Sequence, residues 1–326
     1  MQYNTLGRTG IKVSELCFGT MSFGGDADKV NSKEMFNRCR DEGINFFDCA
    51  DIYNGGVSEQ ILGDLISDCR NEIILTSKVY FAPENANVNE SGSNRKHIIL
   101  SVEKSLKRLK TDYIDFYFIH RFDNNTPLLD TLRTLDMLVQ DGKILYPAVS
   151  NYAAWQIAIA LGISAKENIA RFECIQPMYN LIKRQAEVEI LDLAKSQNLG
   201  VISYSPLGSG LLTGKYFFNK TKVKGRLVEN KKYGIRYGDE SMEKTAIKFI
   251  DFAKKLNFNP VSLAIAWVAS HPAITAPIIG ARSVKQLEDS LNSTKIKMDS
   301  ELRNKISALS IDPPIATDRN EETKSF

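Results

Sequence analysis

Eight apolar runs of strand length recur along this chain, and amphipathic stretches separate them. The runs are Leu16–Gly19, Ile44–Asp48, Ile73–Lys78, Ile114–His120, Ala148–Ser150, Phe172–Gln176, Val201–Ser205 and Ala276–Gly280. Between them, Ile98, Val102, Leu106 and Leu109, or Ile190, Leu191, Leu193 and Ala194, recur at helical spacing. Helix stops stand at Asp141-Gly142 and Asn198-Leu199-Gly200. Eight such alternations predict an α/β protein, a single (β/α)8 TIM barrel rather than an open doubly wound sheet. A barrel of this kind needs roughly 250 residues, and the chain has 326.

Two segments break the rhythm: residues 82–95 after the third strand and residues 214–241 after the seventh. Both are polar, and long loops inside a compact domain are commonly lids or binding loops, so both are expected to border the site. No linker and no repeat beyond the strand–helix rhythm is visible. Residues 1–326 are therefore expected to form one barrel domain, with 311–326, containing Pro313-Pro314, as a loosely held tail.

The formal net charge is +3, with basic and acidic residues interleaved. That balance argues against nucleic acid or membrane as a partner. Five scattered cysteines without a CxxC pair fit a reducing compartment, with no disulfide framework and no zinc site. The start, Met1-Gln2-Tyr3-Asn4, is not a basic-then-apolar leader, and no run reaches membrane-spanning length. A cytoplasmic location is expected. Oligomeric state leaves no readable mark.

Chemistry gathers at the strand ends. The run Ile44–Phe47 stops at Asp48, with Tyr53 five residues on; Ile73–Ser77 stops at Lys78, and Tyr113–Ile119 at His120. A parallel α/β barrel keeps its active site at the C-terminal ends of its strands. A carboxylate, a phenol, an amine and an imidazole thus fall where a barrel would use them. No GxGxxG follows a strand, so a Rossmann site has no support. Ser209–Lys215 mimics a phosphate-binding loop, but its first glycine is out of register and Tyr216 replaces the magnesium-binding hydroxyl.

Four passages together carry a resemblance: Phe47-Asp48-Cys49-Ala50-Asp51-Ile52-Tyr53, Thr76-Ser77-Lys78, Asp115-Phe116-Tyr117-Phe118-Ile119-His120 and Tyr204-Ser205-Pro206-Leu207. The chain resembles the aldo-keto reductase superfamily, NADPH-dependent carbonyl reductases on a (β/α)8 barrel, from Leu6-Gly7-Arg8-Thr9-Gly10 to about Asn292. Gly280-Ala281-Arg282-Ser283 with Gln286-Leu287 is similar to the bacterial and plant branch related to potassium-channel beta subunits.

The resemblance implies hydride transfer between a nicotinamide and a small-molecule aldehyde or ketone. It makes Tyr53 the proton donor, with Lys78 lowering a phenol pKa of about 10, Asp48 holding Lys78, and His120 polarising the substrate oxygen. Ser150, Asn151 and Gln176 match contacts to the nicotinamide carboxamide, and Tyr204 the aromatic stacked on the ring. Ser205, Leu207 and Gly208 match the pyrophosphate contacts, with positive charge added by Lys215. Gly280, Gln286 and Asp289 fall among the cofactor-binding positions, and Arg282 matches the residue on the 2′-phosphate, favouring NADP(H). Asp289-Ser290 stands where the family usually has Glu-Asn, and Pro147-Ala148 where it has Ile-Gly; the proline should let that strand pair fully only from Ala148 onward.

Met21, Phe23, Tyr80, Phe81 and Phe122 are candidate walls of an apolar substrate pocket. The resemblance also implies an alternative, a cofactor-binding, redox-sensing regulatory subunit like the channel subunits. An N-terminal inactivating segment is not expected, since the barrel should begin almost at Met1.

Overall fold

A computed structural model describes residues 1–217 and 225–317. The expected loop 214–241 and the expected tail 311–326 therefore lie partly outside the described residues. The chain opens with a hairpin, β1 (Tyr3–Thr5) and β2 (Lys12–Ser14), and continues through eight further strands. These are β3 (Cys17–Gly19), β4 (Phe46–Asp48), β5 (Ile74–Val79), β6 (Ile114–Ile119), β7 (Ile144–Ser150), β8 (Cys174–Gln176), β9 (Gly200–Ser203) and β10 (Ala276–Ile279). All eight run parallel in sequence order, and β10 closes onto β3. The expected (β/α)8 barrel forms.

Alternate side chains divide between two cores. Cys17, Phe46, Phe116, Phe118, Ala148, Cys174, Ile202 and Ala276 cluster inside the barrel. Phe18, Phe47, Leu75, Tyr117, Val149, Ile175 and Val201 belong to the larger core under the helices. Strands covered on both faces read as largely apolar runs, which is why these eight are visible in the sequence.

One helix follows each of the first six barrel strands: α1 (Lys29–Asp41), α2 (Val57–Ile66), α3 (Arg95–Leu109), α4 (Leu128–Gln140), α5 (Ala154–Glu167) and α6 (Ile190–Ser196). Asp28 and Asn94 cap α1 and α3 by accepting the N–H of Asn31 and His97. Ile98, Val102, Leu106 and Leu109 are buried on one face of α3, as their spacing predicts. Among the described residues, four helices lie between β9 and β10: α7 (Arg226–Glu229), α8 (Lys231–Arg236), α9 (Glu240–Lys255) and α10 (Pro260–Ala269). After β10 come α11 (Val284–Leu291) and α12 (Ser300–Ser307).

The structure differs from the sequence reading in three places. Residues 225–241 are largely helical rather than loop, because Asn230 and Asp239 cap two new starts that a Lys-, Tyr- and Gly-rich composition hides. Residues 80–94, by contrast, carry no helix or strand. Second, β7 begins at Ile144, ahead of Pro147, although it pairs on both sides only from Ala148, as the proline implies. Its ladder to β6 runs from Ile114↔Ile144, while its ladder to β8 starts only at Ala148↔Cys174. The Pro147 carbonyl accepts from the Glu173 N–H (3.0 Å), so the missing proline N–H faces the side where pairing is only beginning.

Third, the sequence carries no signal for the hairpin. Tyr3, Asn4 and Thr5 are all exposed and show no apolar periodicity. The hairpin nonetheless plugs the barrel end opposite the site, with Leu6 and Val13 fully buried among the interior side chains. Gly7 permits this closeness: its φ is +56°, and a Cβ there would lie 2.5 Å from the Gly200 nitrogen.

Candidate active site

The strand C-termini form one rim, and the residues marked out by the sequence collect on it. Asp48 ends β4, Lys78 is the penultimate residue of β5, and His120 follows β6. Register pairs Asp48 with Thr76, and period-two alternation puts Thr76 and Lys78 on the same face of β5. Tyr53 comes from the turn after β4, where Asn54, Gly55 and Gly56 have φ of 49°, 63° and 90°. The Asn54 amide donates to the Met21 (3.0 Å) and Phe23 (2.7 Å) carbonyls, anchoring that turn to the loop after β3.

The Lys78 Nζ lies 2.7 Å from Asp48 Oδ2, 2.6 Å from the Cys49 carbonyl and 3.4 Å from the Tyr53 hydroxyl. The Lys78 side chain is fully buried and that of Asp48 nearly so. Asp48 Oδ1 accepts from Thr76 Oγ1 (2.7 Å) and Gln176 Nε2 (2.9 Å), so both carboxylate oxygens are hydrogen-bonded. A buried ion pair is tolerated only when its remaining polar valences are met, and here they are. The His120 ring stands edge-on to Tyr53, centroids 6.3 Å apart, and its buried Nδ1 has no hydrogen-bond partner among the described residues.

Burial alone would pull the Lys78 ammonium down; Asp48 and the Tyr53 phenol outweigh it and hold it above the ordinary lysine range. For Tyr53 the balance differs from the expectation. Lys78 does pull the phenol down, but burial acts more strongly, and the net result is a pKa pushed up to about 12. Burial, then the charge of Lys78, holds His120 down to about 3. In the folded protein these groups are a neutral phenol, an ammonium and a neutral imidazole. That trio can donate a proton to, and hydrogen-bond, an oxygen placed between Tyr53 and His120.

Further round the rim lies a connected polar set. Ser150 Oγ donates to the Gln176 carbonyl (2.9 Å). The Asn151 amide donates to the His120 carbonyl (2.9 Å) and accepts from the Tyr204 hydroxyl (2.7 Å). Asn151 holds φ of +57°, a conformation asparagine tolerates better than most residues. Next come Ser205 and Gly208 at φ +58° and +54°, flanking Leu207 in a tight turn, with Lys215 exposed beyond them. Gly280 follows β10, and Gln286 Oε1 accepts the Arg282 N–H (3.1 Å) at the start of α11.

Two expected contacts are differently engaged. Arg282 pairs with Asp26 (3.0 Å) and Glu229 (3.6 Å), and Asp289 accepts from Asn259 Nδ2 (3.0 Å) at the start of α10. Even so, amides and an aromatic ring near Tyr53, then a tight turn, then Lys215 and Arg282 form a donor set whose chemistry fits a nicotinamide dinucleotide.

Of the proposed pocket walls, Phe23 is fully buried against Phe18 (centroids 5.8 Å apart) and cannot face a ligand. Phe81 does border the site, 5.0 Å from the His120 ring, with Tyr80 packed behind it at 5.2 Å. Met21 is exposed, and Phe122 packs against Tyr152 and Trp155. Sequence reasoning assigned no role to Thr76 or Asn54, whose contacts arise from register and turn geometry. Among the described residues, no helix is long and apolar enough to cross a membrane, and no cluster of His, Cys, Asp or Glu could hold a metal ion.

The model of the Aldo/keto reductase family matches residues 15–311. The chain is 35% identical to an uncharacterized oxidoreductase, YrpG, of Bacillus subtilis over 316 residues, covering 93% of this chain and 94% of that one. It is 32% identical to a probable voltage-gated potassium channel subunit beta of Oryza sativa, covering 91% and 92% of the two chains. A norsolorinic acid reductase of Aspergillus flavus is 30% identical, over 90% of this chain and 76% of that one. A closed parallel barrel with this rim, matched by a family model over nearly its whole length, makes the chain a member of the aldo/keto reductase family.

Proposed function

We propose that this protein is an NADPH-dependent carbonyl reductase of the cytoplasm, converting a small aldehyde or ketone to the alcohol with Tyr53 as general acid. What carries the reading is the buried chain Asp48–Lys78–Tyr53 with a neutral His120 beside it, all on one rim. The reduced nicotinamide, when bound, supplies the hydride. Ser150, Asn151 and Gln176 would hold its carboxamide, Tyr204 its ring, the turn Ser205–Gly208 and Lys215 its pyrophosphate, and Arg282 its 2′-phosphate.

The protein's own residues manage the oxygen. Neutral His120 donates a hydrogen bond to the carbonyl, drawing charge toward that atom. Tyr53, with a pKa near 12 before any ligand arrives, keeps its proton at neutral pH. A developing alkoxide is a far stronger base, its alcohol being about as weak an acid as water, pKa ~15.7. Transfer from Tyr53 is therefore downhill once charge reaches the oxygen. Lys78 then faces a phenolate, and Asp48 keeps that ammonium charged and aimed.

Mixing the protein with NADPH and a panel of aromatic and dicarbonyl aldehydes should give loss of nicotinamide absorbance. Tyr53→Phe should stop it while cofactor binding, followed by fluorescence, persists. Full turnover in the variant would remove Tyr53 from the mechanism.

The likeness to channel subunits supports a second reading, a cofactor-binding regulatory subunit. Its mark would be tight NADPH binding with negligible turnover on every carbonyl and co-purification with a membrane channel. Sustained turnover would set it aside.

A further inference from the structure

Arg282 Nη2 lies 3.0 Å from Asp26 Oδ2 and 3.6 Å from Glu229 Oε2. Asp26 belongs to the loop after β3, Glu229 ends α7, and Arg282 lies between β10 and α11. Three separate segments thus meet at one guanidinium. The meeting is braced from both sides. Gln286 Oε1 accepts the Arg282 N–H at 3.1 Å, and Ser22 Oγ donates to the Ala281 carbonyl at 2.7 Å, fixing the β3 loop against the same segment.

The charges in this cluster do not balance. One guanidinium faces two carboxylates, and neither carboxylate has a second ion-pair partner within 4.0 Å among the described residues. A 2′-phosphate brought to Arg282 would add about −1.5 to −2 to a site that is already formally negative. It would have to displace both carboxylates or sit beside them, and like charges at such range are repulsive. A bare ribose 2′-hydroxyl meets the opposite situation: it is a donor, and either carboxylate can accept from it.

We infer that Asp26 and Glu229 set cofactor choice, weakening the grip of Arg282 on a 2′-phosphate so that NADH competes more closely with NADPH than Arg282 alone would allow. This rests on the dinucleotide reading given above. It adds two residues from outside the matched cofactor positions, and it assigns them an effect opposite to that of Arg282.

The test is a fluorescence titration of NADPH and of NADH against the wild type, Asp26→Asn, Glu229→Gln and the double variant. The amides keep the size of the acids and remove only the charge. The three side chains are one third to one half exposed (32%, 44% and 45%), so each effect is screened. The ratio of the NADH to the NADPH dissociation constant should rise about threefold in each single variant and about tenfold in the double. Tighter NADPH binding should provide most of that change. A ratio that stays within about twofold of wild type in the double variant, or that falls, overturns the inference. Should the wild type bind neither dinucleotide, the underlying cofactor reading fails first and the inference falls with it. Binding that is present but insensitive to both substitutions sinks the inference alone.

Discussion

The Lys78 ammonium stands 3.4 Å from the Tyr53 hydroxyl, and its two other contacts, Asp48 at 2.7 Å and the Cys49 carbonyl at 2.6 Å, complete a three-donor set. The side chain is fully buried, so it has no water to turn toward. The position of the amine beside the phenol is therefore a property of the fold, present before any ligand.

Lys78→Met should be costly in two ways. It leaves Asp48 buried with Thr76 and Gln176 but no cation, and breaking a buried pair typically costs about 3–5 kcal/mol. Urea unfolding should show that loss, and carbonyl reduction should fall steeply in the protein that remains folded. Unchanged stability would mean that water or a proton already neutralises Asp48.

The pH profile of reduction follows from the two side chains facing the oxygen. With Tyr53 near 12 and His120 near 3, neither titrates in the neutral range. The turnover number for reduction should be flat from about pH 5 to about pH 10. A descending limb centred near pH 7 would show instead that Lys78 dominates burial once substrate and cofactor are in place.

Stability should fall in acid. Burial holds His120 down to about 3 and His271 to about 4, and lowers His97 as well. His120 and His271 are neutral when folded and take a proton near pH ~6.5 when unfolded, and His97 shifts in the same direction. The unfolded chain then binds more protons, so this contribution is complete above about pH 6.5 and is lost as pH falls toward about 3. Asp64, held near 2 by Lys110 and Lys29, acts with the same sign at lower pH. Asp51, pushed up to about 7 by burial, acts oppositely: its stabilisation belongs to the protonated form and fades as pH rises from about 3.9 to about 7. Burial raises Asp115 and Glu173 in the same sense as Asp51, and His120 and His271, the two imidazoles held furthest down, outweigh these carboxyls. The urea midpoint should be lower near pH ~4.5 than near pH ~7, and an equal or higher acid midpoint would contradict this balance.

At the opposite end of the barrel, Gly7→Ala should destabilise without touching catalysis. The added Cβ would lie 2.5 Å from the Gly200 nitrogen and 2.8 Å from the Asn198 carbonyl oxygen, at φ +56°. A loss of about 1–3 kcal/mol is expected, with turnover per folded molecule unchanged. Gly10 offers the control: its φ is +78°, but nothing lies within 4 Å of its Cβ position. Gly10→Ala therefore isolates conformational strain from collision, and equal losses in the two variants would show that the close approach to Gly200 contributes nothing.

The sequence by itself determined the eight barrel strands and the rim they share, because strands covered on both faces are largely apolar and change character where they end. Asp48, Lys78 and His120 were legible for that reason, and their pairing with Tyr53 through the resemblance. The β1–β2 hairpin and the helices α7 and α8 were not legible: they are too short and too polar to carry a period. Tertiary structure alone decided which effect wins at Tyr53, since the ammonium and the burial act in opposite directions and only packing sets their sizes. It also decided that Arg282 meets Asp26 and Glu229, residues that no local pattern connects. Periodicity is written along the chain, whereas desolvation and long-range charge pairing exist only once distant segments have closed around one another.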